Sequence, residues 1–320
     1  MSADASISDK TKDQLMLAIG FASINAFMLA AMGLFAKLLG EYYGAIEVTF
    51  FRNGISLIAL FGWLVCARQL AMLKTKRPYA HLFRGTIGTI GIVLGMYAVS
   101  VMPLAETTVL LFTSPLWTLL LAWMFLKECI GPYRIAAIIL GFTGIVIMAN
   151  PFDGQIDLPW LGLIAGLGWG FLSGAVDTTL RWMGTTERST TTVFYFMVFG
   201  TLTTAVHWPF AEIQPGAFST NALLIICGLG LTGLLSLLAK TQSFRLGEAS
   251  VIAPVMYTMI IWAVAFDYFL WEKAPTWNVI AGAVIIICAN LLILYRERQK
   301  HREKINAALA KHSGDGCPHA

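Results

Sequence analysis

Ten long apolar runs follow one another along the chain with only short polar segments between them, and this succession leaves few folds open. A run of about 20 apolar residues crosses the hydrocarbon layer of a bilayer as a helix, which satisfies every backbone N–H and C=O within the segment. The runs cover 15–38, 45–66, 82–101, 105–126, 132–150, 159–181, 190–209, 220–239, 249–271 and 276–295. None alternates polar and apolar residues as a membrane β-strand does. Charged residues make up only 12% of the 320, against roughly 25% in soluble domains. Mean hydropathy is +0.71, more apolar surface than one soluble core hides. The expected class is an all-α membrane protein of ten transmembrane helices.

The basic residues give the chain a direction. Lys and Arg accumulate on the cytoplasmic side of membrane proteins. With the N-terminus inside, all but three of the 22 Lys and Arg residues fall in cytoplasmic segments. The exceptions are Lys37 and Lys273, near outer ends, and Arg52, inside the second run. Both termini are therefore expected in the cytoplasm, with the chain in a bacterial-type inner membrane. The formal net charge of +4 has the same origin, so no nucleic-acid partner is expected. The polar stretch 1–14 is taken as a cytoplasmic segment. The first run is too long for a signal-peptide core and is taken as a retained helix. The basic stretch 296–320 is taken as the last helix continuing beside anionic headgroups.

Several chemistries have no residues to support them. The five cysteines (Cys66, Cys129, Cys227, Cys288, Cys317) are scattered and form no metal-type spacing. There is no G-x-x-x-x-G-K-[ST] loop, no H-E-x-x-H and no G-x-S-x-G. No metal or other cofactor is expected. A membrane-embedded enzyme and a channel are the alternatives to a transporter. The first lacks a catalytic constellation, and the second lacks a filter-like repeat or a regular charge series.

The chain also repeats itself. Pro103-Leu104-Ala105-Glu106-Thr107 opens the fourth run, which ends at Phe125-Leu126-Lys127-Glu128. A shift of 144 residues gives Gly247-Glu248-Ala249-Ser250-Val251, opening the ninth run, which ends at Phe269-Leu270-Trp271-Glu272. Five helices per copy, an odd number, place the copies in opposite orientations. Such inverted repeats are common in secondary transporters, with the site between the halves near the midplane. The expected units are 15–150 and 151–295.

At these residues the chain resembles the EamA group of the drug/metabolite transporter superfamily. The matching stretches are Arg84-Gly85, Pro103-Leu104-Ala105-Glu106, Phe112-Thr113-Ser114-Pro115-Leu116, Leu126-Lys127-Glu128 and Gly141-Phe142-Thr143-Gly144-Ile145. In the second half they are Ala253-Pro254, Tyr257 and Trp262-Ala263. Lys127 stands where the group often has a small residue. The resemblance implies a secondary transporter of a small organic solute: an amino acid, a flavin, S-adenosylmethionine or a toxic metabolite.

Helix faces then separate packing from pathway. Gly162, Gly166, Gly170 and Gly174 recur every four residues, and Gly88, Gly91 and Gly95 lie close together in the third run. Small residues at such spacing let helices approach closely in lipid, and the same face is where halves slide in alternating access. Thr49, Arg52, Asn53 and Ser56 form a polar stripe on the second run. An intramembrane Arg costs at least ~2.5 kcal/mol facing lipid, so the stripe faces protein or a cavity. Arg52 is either fixed by carbonyls or a carboxylate such as Glu47 or Glu106, or faces an anionic solute. Asp177 shares the glycine face of the sixth run. It either serves a cationic solute or a coupling proton, or pairs with Arg181 at i+4. Pro115 and Pro254 free backbone groups near mid-membrane, as kinks or as pathway lining. Asp267 is taken as interfacial and His207 as an outer anchor. Expected pathway residues are Asn25, Thr49, Arg52, Tyr97, Ser114, Trp117, Trp169, Asp177, Tyr257 and Trp262. The partners expected are a small-molecule substrate and membrane lipid, with a proton as coupling ion.

Overall fold

A computed structural model describes residues 2–75, 77–126, 132–150, 159–183, 189–211, 213–247 and 249–314. Side chains within 2–13, 180–183, 249–250 and 300–314, and those of residues 126, 134, 189, 297 and 298, lie outside the description. Lys127, Glu128, Arg188 and Glu248, and the side chain of Arg181, therefore fall outside it too.

Among the described residues every regular element is helical. The helices are α1 (Ser2–Leu39), α2 (Ala45–Cys66), α3 (Pro78–Val101), α4 (Leu104–Leu111), α5 (Ser114–Leu126) and α6 (Pro132–Ala149). The second half holds α7 (Trp160–Met183), α8 (Ser189–Ala205), α9 (Thr220–Leu246), α10 (Ala249–Met256), α11 (Thr258–Trp271) and α12 (Trp277–Gly314). Eight helical segments are long and apolar enough to cross a membrane, with α4–α5 and α10–α11 each counted once. α6 and α8 are shorter: the apolar part of α6 is Ile135–Ala149, and α8 has 17 residues. The run expected to reach 209 stops as a helix at Ala205 and continues as a 3-10 turn, Trp208–Phe210, built around Pro209. The polar stretch after Ser2 is part of α1, and α12 runs on through the basic segment to Gly314.

The two broken pairs sit at corresponding places. α5 starts at Ser114 and α11 at Thr258, a separation that repeats the 144-residue shift. Pro115 is the second residue of α5, so its missing N–H falls where a helix start has no intrahelical acceptor for one, and the chain turns just before it. Pro254 behaves differently from the expectation: it lies inside α10, and the break comes later, at Tyr257. The carbonyl it deprives is that of Ser250, in the first turn of a short helix.

Contacts between halves follow an exchange pattern. α1 packs on α9, α10 and α11, while α7 packs on α3, α4 and α5; α2 meets α8 and α6 meets α12. Swapping the halves maps these contacts onto one another. The glycine stripe of α7 is what lets it lie on α4–α5: Gly162 faces Met102, Gly166 faces Leu110, and Gly170 faces Leu110 and Thr113. A Cβ at Gly174 would stand 2.8 Å from Trp117 Cβ and 2.9 Å from the Ser114 carbonyl, closer than real Cβ contacts come. α3 uses its glycines likewise: Gly85 lies on Phe199, Gly88 on Phe196, Gly91 on Leu172 and Gly95 on Trp169.

Candidate functional site

Polar groups gather in the middle of the bundle along α1, α2, α9, α10 and α12. On α2 the stripe faces protein throughout. Thr49 is fully buried and donates to the Ala45 carbonyl of its own helix, and Ser56 donates to the Gly230 carbonyl of α9. Arg52 runs between α1 and α9, its Nε donating to Met32 Sδ at 3.3 Å and Nη1 to Asn53 Oδ1 at 2.9 Å. Its stem passes beside Gly233, which leaves room for it. Neither carboxylate expected to hold it does so. Glu47 Oε1 lies 2.8 Å from Nδ1 of His207, and Glu106 lies among Lys37, Asp267 and Lys273. The ion pairs among the described residues are Lys37–Asp267 and His207–Glu47. Asn53 Nδ2, beside the guanidinium, is buried without a hydrogen-bond partner among the described residues.

One helix away, Asn25 of α1 is 1% exposed. Its Oδ1 accepts from Ser236 of α9 at 2.9 Å, and its Nδ2 meets Met256 Sδ of α10 at 3.0 Å. At the α4–α5 break, the Phe112 carbonyl accepts from Asn290 Nδ2 of α12 at 2.8 Å. Tyr257, the residue at the other break, faces the same amide and packs on Phe112 edge to face, centroids 4.9 Å apart. The two helix breaks thus touch, and Asn290 supplies the donor that one of them needs.

The aromatic candidates divide. Trp169 lies flat against Gly95 and lines a central void of about 20 Å³ together with Met32, Thr107, Thr108 and Ala263, room for about one water. Trp117 packs edge to face on Phe142 and Phe171, and its indole N–H is buried with no partner among the described residues. Ser114 accepts from Thr118 within α5. Trp262 packs on Phe27 at 4.9 Å but is 41% exposed. Tyr97 is half-buried on α3, two residues beyond Gly95 and so on another face of the helix from Trp169's seat. Asp177 does not join the group. It is exposed on α7, with half-buried Arg84 of α3 within electrostatic reach, and Arg84 in turn donates to the Thr192 carbonyl at 3.1 Å. Asp177 shares the glycine side of α7 but lies beyond Gly174, the last glycine of the stripe, and is exposed there, so the expected desolvation is not seen.

Two charged partners lie far apart in sequence. Asp267 is 1% exposed; its Oδ1 takes Lys37 Nζ at 3.0 Å and its Oδ2 takes the Ala105 N–H at 2.9 Å, capping α4. His207 pairs with Glu47. Asn290, Ser236 and Met256 were missed altogether, since each is one modest residue in an apolar run. A signal for Asn290 existed: an amide in the last span with no polar neighbour on its helix.

Comparison with known proteins agrees with this geometry. The model of the EamA-like transporter family matches twice, over residues 16–150 and 160–295. An S-adenosylmethionine uptake transporter of Rickettsia bellii is 31% identical over 293 residues, covering 90% of this chain and 97% of that one. The pseudopaline exporter CntI of Pseudomonas aeruginosa is 24% identical, covering 87% of this chain and 95% of the exporter. Human solute carrier family 35 member G1 is 23% identical, covering 86% of this chain and 78% of the carrier. A solved crystal structure with 14% identity superposes with a TM-score of 0.62 over 88% of this chain and 97% of the other, which bears on the fold alone. This chain, a multi-pass membrane protein, belongs to the EamA-like transporter family.

Proposed function

We propose that the protein takes up an S-adenosylmethionine-like solute, an amino acid bearing a carboxylate and a fixed positive charge, across a bacterial inner membrane. Family membership makes it a transporter of a small metabolite rather than an enzyme; cargo, direction and mechanism are the proposal. Alternating access is taken to occur between two inverted five-helix halves, 15–150 and 151–295, in a ten-span topology with both ends in the cytoplasm. A proton is taken as the coupling ion. The exchange of contacts between halves supports the repeat, and the distribution of Lys and Arg supports the orientation.

The observation that carries the cargo is Arg52. A guanidinium has five donors in a planar fork suited to a carboxylate, and here this half-buried one has as described partners a thioether and one amide oxygen. An intramembrane charge left so poorly paired is costly, and a solute carboxylate would supply what is missing. Met32 stands between Arg52 and the central void, touching both. Movement of this flexible side chain would open the void to the guanidinium. Trp169, Trp117 and Tyr257, with Asn25 and Ser114 alongside, offer aromatic faces and polar groups to an adenine ring and a sulfonium; a cation over an aromatic face gains about 0.5–2 kcal/mol. Thr49, Tyr97 and Trp262 are placed at the periphery of the pathway, and Asp177 outside it.

The test is counterflow. Proteoliposomes preloaded with unlabelled S-adenosylmethionine should take up labelled S-adenosylmethionine, and S-adenosylhomocysteine, which lacks the sulfonium charge, should compete weakly. Equal competition by adenosine alone would contradict the cargo.

A further inference from the structure

Lys37, Asp267 and Glu106 meet where the C-terminal ends of α1 and α11 converge on the N-terminus of α4. Both oxygens of Asp267 are occupied, one by Lys37 and one by the Ala105 N–H. Lys37 also lies over the Trp271 ring, 4.3 Å from its centroid. Glu106, next along α4, is 5% exposed, and its Oε2 has no hydrogen-bond partner among the described residues. The described charges acting on it are Asp267 of α11, Lys37 of α1 and, past the end of α11, exposed Lys273.

The cluster therefore sets two buried carboxylates against one partly buried ammonium. With both acids ionised it holds an excess negative charge in a closed, water-poor junction. One proton on Glu106 cancels that charge and gives the unpartnered oxygen a hydroxyl. We propose that Glu106 is the proton-binding site of the transport cycle, loaded while α1, α4 and α11 are closed together and emptied when they part. This deepens the proton-coupled reading above and rests on it. The proton is taken from water and returned to water, with no other bond made or broken. The remaining described acids do not fit the role: Glu47 is held by His207, and Glu41, Asp177 and Glu272 are exposed. The junction also joins elements of both halves, α1 and α4 with α11, so a charge change there acts on the contact that must open.

The sign of the pH dependence follows. A closed state that holds one proton more than the unfolded chain is most stable at low pH and loses that stability as pH rises. The experiment is thermal unfolding of the purified full chain from about pH 5 to about pH 8, a window chosen on that linkage. His207 is kept, so that Glu47 stays paired, and the slopes are read after subtracting the histidine contribution common to both proteins. The expected result is a Tm that drops with rising pH in the Glu106 protein and stays level in Glu106→Gln. A Glu106→Gln curve displaced as a whole with its slope intact would mean a packing role and overturn the proposal. If Glu106→Gln cannot be purified, the parent decides: a level parent curve overturns the proposal, and a falling curve that Glu106→Asp shifts along the pH axis supports it. These readouts need no cargo, so failure of S-adenosylmethionine counterflow counts against the proposed substrate and not against Glu106. In liposomes that do show counterflow, Glu106→Gln should keep exchange and lose accumulation driven by an imposed pH difference. Accumulation at the parent level would overturn the proposal.

Discussion

Phe112 and Tyr257 meet edge to face, their centroids 4.9 Å apart, at the two points where the broken helix pairs α4–α5 and α10–α11 change direction. The breaks occupy matching places in the two halves, so this contact joins one half to the other. Asn290 fastens it by donating to the Phe112 carbonyl. A buried carbonyl stripped of its donor costs about 1–3 kcal/mol. Asn290→Leu should therefore lower Tm by several degrees and slow uptake, while Asn290→Gln, which keeps a donor, should do less harm. Thermal unfolding and initial uptake rates check this; equal Tm values for Asn290→Leu and the parent would remove the fastening role.

The glycine face of α7 predicts a steric result. Gly170 lies against the Leu110 carbonyl, where a Cβ would come within 2.9 Å, whereas nothing lies within 4 Å of a Cβ at Gly62. Gly170→Leu should prise α7 from α4–α5 and reduce the yield of folded protein, and Gly62→Leu should behave like the parent. Size-exclusion profiles and Tm values for the two variants decide it.

Asp177 gives a prediction against the sequence-based expectation. It is exposed and lies beside Arg84 rather than in the central polar layer. Asp177→Asn should retain uptake within about twofold, since the electrostatic contacts of an exposed side chain are worth about 0–1 kcal/mol. Loss of uptake at normal Tm would return Asp177 to the pathway.

How much of this was legible in the residues depends on the scale of the signal. Helix positions came through because spans are long and apolar, and the broken pairs showed because Pro115 and the 144-residue echo mark them. The polar stripe of α2 was legible because four polar residues at helical spacing cannot all be accidental. Partners were not. Arg52's expected carboxylates went elsewhere because Glu47 and Glu106 lie toward the end of the bundle, with His207 and Lys37 as their neighbours. The Lys37–Asp267 pair joins residues 230 apart, and no local pattern predicts such a meeting. Gly40, two residues past the end of the first apolar run, packs on Ser100, whose Cβ lies 3.0 Å from where a Cβ of Gly40 would be. That is tertiary information, as is the choice of Asn290 over any other amide.

Orientation is checked by reporter fusions. Fusions after Gly184 and Lys300 should report the cytoplasm, and one after Ala217 the outside, as the distribution of Lys and Arg requires. A cytoplasmic signal from the Ala217 fusion would break the ten-span topology.

The proposed cargo requires Arg52 to read a carboxylate. Compare uptake of S-adenosylmethionine with that of its decarboxylated form, which keeps the sulfonium and adenine, in proteoliposomes of the parent and of Arg52→Gln. Loss of a charge-assisted bidentate contact is worth about 1.5–3 kcal/mol, so the parent should prefer the carboxylated solute by at least about tenfold. Arg52→Gln, folded and inserted, should transport both at similar low rates. An Arg52→Gln protein that keeps the parent's preference would contradict the account.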